Sequence, residues 1–189
     1  MPEPLFPPID TATLRLRCIT HRDSAALSAL LTPDIGNGLA SWPYPTTPPM
    51  MDARVESVLG PASCGDSLPC VIERRSDAAI VGWMVLRRDP DDPRRGALGY
   101  WIGELFQGQG IAREAAISLI QAGFSRLDLD VIEASAQTGN AGSFAVMRAC
   151  GMVEASARSV YASASDRDEV CVFYELWRSG RPGSSRSAT

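Results

Sequence analysis

Between Leu98 and Ala116 the chain reads LGYWIGELFQGQGIAREAA, an apolar run, a glycine-spaced turn and a helix opening that follow one another without a gap. No other stretch constrains the fold as much, because it requires a strand that runs directly into a helix N-terminus. Gly108 and Gly110 let the backbone of Gln107, Gly108, Gln109, Gly110, Ile111 and Ala112 turn tightly. Successive N–H groups can then converge on one point at the positive end of the helix, and a phosphate or pyrophosphate fits that arrangement best. The same glycines would also serve a plain strand-to-helix turn, so the flanking chain has to separate the two readings.

The flanks alternate between the two main periodicities. Thr13 to Cys18 sets Leu14, Leu16 and Cys18 against Arg15 and Arg17, a half-buried strand. Asp23 opens a helical pattern through Ala26, Leu27, Leu30 and Leu31 that Pro33 closes. From Asp34 to Pro49 the residues are glycine, proline and aromatic without periodicity; long irregular loops of this kind are commonly functional, and Trp42 and Tyr44 among prolines suggest a stiff, apolar wall. A short helix around Met51 to Leu59 precedes three strands, Leu68 to Arg74, Ala79 to Arg88 and Gly96 to Gly103, joined by turn residues into an antiparallel meander. After the glycine turn a helix runs to about Leu127, with Ala112, Ala116, Leu119, Ile120, Gly123 and Phe124 on one stripe. Val131 to Gln137 is a strand, Asn140 opens a helix that Gly151 ends, and strands near Ala155 to Tyr161 and Glu169 to Trp177 complete one domain over residues 1–178. Residues 179–189 read as a polar, disordered tail.

This order argues against other phosphate binders. A Walker loop needs Gly-Lys-Ser/Thr, which is absent, and a dinucleotide fold wants a glycine where Arg113 stands and a turn after the first strand of a strand–helix repeat. All 18 basic residues are arginine, which excludes a lysine Schiff base. With net charge −4 and arginines in scattered pairs, no basic face for nucleic acid is expected. The one histidine, His21, lies in a polar turn, so neither a His-dependent triad nor a metal cluster is expected. The five cysteines are odd in number and lack C-x-x-C spacing, which implies reduced thiols without disulfides or zinc. No run approaches the roughly 18 apolar residues of a membrane span, and MPEPLFPPID is no secretory signal, so a cytoplasmic protein without a membrane partner is expected.

At Gln107-Gly108-Gln109-Gly110-Ile111-Ala112 the sequence resembles the Q/R-x-x-G-x-G/A signature of GNAT acetyltransferases. TATLRLRCITHRDSAAL resembles the T-x-R-L-x-L-R…D-x-x-A-L opening of the RimJ/RimL-like branch, LGYWIG its fourth strand, and NAGSFAVMRACGMVEA its N-x-x-S…G-F segment. Together these cover about Thr13 to Trp177. The chain departs in lacking an acidic residue at position 12, in carrying Gln107 where that branch often has Trp, and in Met152 for the usual Phe.

The resemblance implies an α+β (α/β/α) fold, a mixed, mostly antiparallel seven-stranded sheet splayed between its fourth and fifth strands, with helices on both faces. Acetyl-coenzyme A would wedge into the opening, its pantetheine arm pairing with Tyr100, Trp101, Ile102 and Gly103 as an added strand and its pyrophosphate capping the following helix. Asn140 would contact the arm and Ser143 would lie near the thioester sulfur, although Asn is also a favoured N-cap and both residues suit an ordinary helix start. The implied activity is acetyl transfer to a primary amine such as a protein N-terminus. Rival readings are a small-molecule amine acetyltransferase, for an antibiotic, polyamine or amino acid, and a non-catalytic acyl-coenzyme A sensor. Related proteins are often dimers, so a homodimer is a further expectation. Without a placed His, a lysine or a reactive Cys motif, direct transfer in a ternary complex is favoured over an acyl-enzyme. A backbone N–H around Ile102 and Gly103 would polarise the carbonyl, Ser143 would meet the thiolate, and Glu104 or Glu133 would accept the amine's proton through water. Trp42 and Tyr44 would select the acceptor.

Overall fold

Alternation along Leu14–Cys18 becomes a strand with Leu14, Leu16 and Cys18 buried. The computed structural model describes residues 5–39, 42, 45–162 and 166–178; Tyr44 and the tail 179–189 lie outside the described residues. The strands are β1 (Ile9–Asp10), β2 (Leu14–Cys18), β3 (Ser67–Arg74), β4 (Ala79–Arg88), β5 (Arg95–Ile102), β6 (Val131–Gln137), β7 (Val153–Ala162) and β8 (Arg167–Trp177). The helices are α1 (Ser24–Leu30), α2 (Pro33–Asn37), α3 (Pro48–Ser63), α4 (Ile111–Arg126) and α5 (Ala141–Ala149).

Among the described residues the sheet has eight strands rather than seven, in the order β1-β2-β3-β4-β5-β6-β8-β7. The addition is the two-residue β1, which folds back on β2 with Ile9 opposite Leu16. The fourth and fifth strands expected from sequence are therefore β5 and β6. Theirs is the parallel pairing in the sheet, the other neighbours being antiparallel.

Two helix boundaries differ from expectation, both through proline. Pro33 does not close α1; it starts α2, where a missing N–H costs nothing, with the Thr32 hydroxyl accepting from Ile35 N. Pro48 and Pro49 likewise occupy the first turn of α3, which is longer than expected, and the irregular stretch shrinks accordingly.

Helices cover both faces. On one, α4 and α5 pack over Leu16, Ile72, Met84, Leu86 and Ile132; on the other, α1, α2 and α3 pack over Val71, Trp83 and Trp101. Gly123 lets α4 approach the sheet, since a Cβ there would stand 2.1 Å from Cδ2 of the fully buried Leu86. In an open helix Gly→Ala would gain up to about 1 kcal/mol. Here overpacking of roughly 1–3 kcal/mol outweighs that gain, so Gly123→Ala is expected to lower the denaturation midpoint in urea.

The feature that positions the site is where β5 and β6 part. Their register runs from Arg95 opposite Val131 to Leu98 opposite Ala134 and stops there. Beyond it β5 remains paired with β4 as far as Ile102, and β6 with β8 as far as Gln137. A wedge-shaped gap opens between Gly99–Ile102 on one side and Ser135–Gln137 on the other.

Candidate active site

The turn after β5 has the geometry that its glycines predict. Gly108 and Gly110 have φ of 73° and 80°, a region costly to side-chain-bearing residues, and α4 begins immediately afterwards. A short 3₁₀ turn, Glu104–Phe106, leads into it. Among the described residues, the amides from Gly108 to Arg113 donate to no backbone or side-chain acceptor, while Glu114 N closes the first helical turn on Gly110 O at 3.0 Å. A Cβ at Gly108 or Gly110 would meet nothing within 4 Å, so the space in front of both is open. A run of free donors at a helix start, facing open space, suits a pyrophosphate. Two side chains hold the turn: Gln107 Nε2 donates to Ile102 O and Gln109 Nε2 to Leu105 O, each at 3.0 Å. Sequence reasoning gave these two residues only backbone roles.

At the open edge of β5, hydrogen-bond alternation selects the donor. Gly103 N is committed to Val81 O at 2.9 Å, on the β4 side. The N–H groups of Ile102 and Tyr100 therefore face the gap. Of the two residues expected to supply a carbonyl-polarising amide, Ile102 retains a free one and Gly103 does not.

Tyr100, Asn140 and Ser143 come together across the gap. The Tyr100 hydroxyl, whose pKa burial pushes up to about 12, donates to Ser143 O at 3.4 Å. Asn140 caps α5, its Oδ1 accepting from Ser143 N at 3.0 Å. The capping role weighed for Asn140 is thus present, and it leaves the side-chain Nδ2 uncommitted by the cap. The Ser143 side chain lies beside the same Tyr100 hydroxyl, and its hydrogen bond there works against the upward push of burial. A Cβ on Gly38, at the end of α2, would lie 3.9 Å from Asn140 Nδ2, so the end of α2 reaches the rim of the same gap.

The two carboxylates separate. Glu104 is exposed just beyond the end of β5, at the open side. Glu133 stands opposite Ala97 in the closed part of the pairing, with Oε2 taken by Arg95 at 3.3 Å and Oε1 by Arg158 at 3.0 Å. It is therefore a member of an ion network rather than a free base.

Trp42 is no open wall. It is buried in the second core, edge-on to Trp83 and Trp101 with centroids 5.1 and 5.7 Å away, and Arg54 lies 5.0 Å over its ring. An aromatic ring in an aperiodic, proline-rich stretch gives no local sign of which way it turns, and here burial decided. Trp101, expected to act through its backbone, also places its indole in this core, and its Nε1 is a buried donor without a partner among the described residues.

The remaining chemistry is spare. His21 is exposed against Glu56 and Asp52, remote in the fold from the gap. Among the described residues no group of His, Cys, Asp and Glu can hold a metal, and no helix is long and apolar enough to cross a membrane. The cysteines are free, and burial pushes the thiols of Cys18, Cys70, Cys150 and Cys171 above their ordinary range, which makes them poor nucleophiles.

Comparison with known proteins gives consistent results. Residues 13–153 match the family model described as an acetyltransferase (GNAT) domain. The chain is 32% identical over 102 residues to YdaF of Bacillus subtilis (strain 168), which bears the name of a ribosomal N-acetyltransferase; the match covers 53% of this chain and 55% of that relative, about half the length of each. Mycobacterium smegmatis RimJ, solved with a CoA-disulfide, superposes with a TM-score of 0.77 at 23% identity, covering 90% of this chain and 85% of that one. The ribosomal-protein-S5-alanine acetyltransferase of Vibrio fischeri superposes with a TM-score of 0.77 at 18% identity, covering 94% and 100%. Both structural likenesses speak to the fold.

Proposed function

The chain belongs to the GNAT acetyltransferase family, and on that premise we propose that it moves the acetyl group of acetyl-coenzyme A to the α-amine at the N-terminus of a protein, by direct transfer in a ternary complex. The observation that carries the reading is the parting of β5 from β6 beyond Leu98 and Ala134, beside a run of free amides at the start of α4. An extended, amide-bearing arm can pair with the open edge of β5 while a pyrophosphate rests on those amides. The relatives named for ribosomal proteins favour a protein acceptor.

The amine nitrogen attacks the thioester carbonyl carbon, and the C–S bond breaks. The Ile102 N–H is oriented to hold the carbonyl oxygen as it gains charge. Glu104, exposed at the open side, takes the amine's proton through water. The Ser143 hydroxyl donates to the leaving thiolate and recovers a proton from solvent. The raised thiol pKa values support transfer without an acyl-enzyme.

The test is an acceptor panel scored by release of the free coenzyme A thiol. Peptides with a free N-terminus are expected to turn over, the same peptides with a blocked N-terminus to be inert, and polyamines or free amino acids to react at least about tenfold more slowly in kcat/KM. Faster turnover of a small amine would replace the acceptor class, and binding of acetyl-coenzyme A without turnover on any amine would make the protein a sensor. With an acceptor in hand, Ser143→Ala should lower kcat at least about tenfold at unchanged cofactor affinity. A change under about twofold would leave Ser143 a mere helix-start residue.

A further inference from the structure

The turn at Thr11 to Thr13 and the first turn of α4 are about a hundred residues apart in sequence, yet three hydrogen bonds to one carboxylate tie them together. Thr11 Oγ1 donates to Glu114 Oε1 at 2.6 Å and accepts from Leu14 N at 2.9 Å. Thr13 N donates to Glu114 Oε1 at 2.9 Å and Thr13 Oγ1 to Oε2 at 2.8 Å. From the other side Arg75 grips the same turn, its Nη1 donating to Thr11 O at 2.7 Å and its backbone N to Thr13 O at 2.9 Å. Both Glu114 oxygens thus accept from the Thr11–Thr13 turn, and these hydrogen bonds hold the carboxyl below the ordinary range against the opposing effect of its partial burial.

Glu114 is also the residue whose N–H closes the first helical turn on Gly110 O. Its backbone defines the ring that carries the free amides, and its side chain anchors that ring to the sheet edge. The helix dipole favours a carboxylate in the first turn of α4, yet at this position it stands one turn from the proposed anion site and repels the ligand. We infer that Thr11, Thr13 and Glu114 form a clamp that positions the start of α4 for the pyrophosphate of acetyl-coenzyme A, an inference that rests on the cofactor placement proposed above. The clamp links the Thr-rich opening of the chain to the glycine turn and gives that opening a role in cofactor binding. Glu114 is a positioning residue; it does not touch the ligand.

The sign of the effect separates positioning from electrostatics. Glu114→Gln removes a negative charge, and charge alone would tighten coenzyme A binding. Loss of the clamp weakens it, because Gln presents an N–H₂ to donors that need an acceptor. Two probes are used with the full chain: coenzyme A for affinity by titration, and S-acetylpantetheine, which lacks the pyrophosphate, as an alternative acetyl donor. Expected for Glu114→Gln is a rise of at least about fivefold in the coenzyme A Kd, with kcat/KM for S-acetylpantetheine within about twofold of wild type. Thr13→Val should move the same way and Thr13→Ser should restore wild-type affinity; these variants leave Glu114 in place and serve if Glu114→Gln does not fold. Unchanged or tighter coenzyme A binding in Glu114→Gln and Thr13→Val, or an equal fall with both donors, overturns the clamp. A wild type that binds coenzyme A no better than pantetheine overturns the pyrophosphate placement, and the clamp's role with it.

Discussion

Gly110→Val is expected to raise the Kd for coenzyme A by about a hundredfold or more while the protein stays folded. Gly110 holds φ at 80° as the residue before α4, and a β-branched side chain in that region costs on the order of 1–3 kcal/mol. The turn escapes that cost by opening, which disperses the amides of Gly108 to Arg113 and leaves the anion without convergent donors. The damage stays local, because a Cβ at Gly110 faces open space and touches no core residue. Gln109→Ala, which removes one bond to Leu105 O and alters no backbone torsion, should change affinity by less than about threefold. Titration with coenzyme A beside a far-UV spectrum reads both; equal affinity in Gly110→Val and wild type would refute the site.

Arg17→Leu should cost about 3–5 kcal/mol, because it strands a buried charge. Arg17 Nη1 and Nη2 donate to both oxygens of Asp23 at 2.9 and 2.7 Å, and its Nε donates to Glu73 at 2.7 Å. Asp23 is only 4% exposed; it also accepts from Thr20 N at 2.8 Å, fastening the 3₁₀ turn that leads into α1. Burial works to raise the Asp23 pKa, but the Arg17 guanidinium and the Thr20 amide more than offset it, so the net shift is downward. A depressed carboxylate adds stability above its unfolded pKa of about 3.9 and loses it as pH falls through the folded value. Without Arg17 the buried carboxylate can escape its penalty by taking a proton. The stability gap between wild type and Arg17→Leu is therefore largest near neutrality and narrows as pH falls from the raised Asp23 pKa of the variant to the lowered one of the wild type, which urea midpoints across pH would show. A gap independent of pH would mean that lost packing, not charge, dominates.

Much of this architecture was legible because its signals are local. Two-residue alternation marked β2, turn residues set off the strands of the meander, and Gly108 and Gly110 announced a strand running into a helix. Asn140 three residues before Ser143 announced a capped start, which the structure shows as a side-chain bond to Ser143 N. What stayed hidden depends on partners distant in sequence. β1 is two residues in a proline-rich lead and exists only because β2 is there to receive it. Pro33 reads as a breaker until Thr32 is seen to cap a new helix. Which way Trp42 turns, that Glu133 is held by Arg95 and Arg158, and that Gly103 spends its amide on Val81 are settled by neighbouring strands. The Glu114 clamp reaches back to Thr11 and Thr13 and leaves no periodic trace.

A structure of the protein crystallised with coenzyme A tests the central placement most directly. The pyrophosphate oxygens should lie within about 3.2 Å of amides between Gly108 and Arg113, and the pantetheine arm should pair with the open edge of β5 at Tyr100 and Ile102. Coenzyme A bound with its pyrophosphate away from that turn, or with β5 and β6 zipped together beyond Leu98 and Ala134, would contradict it.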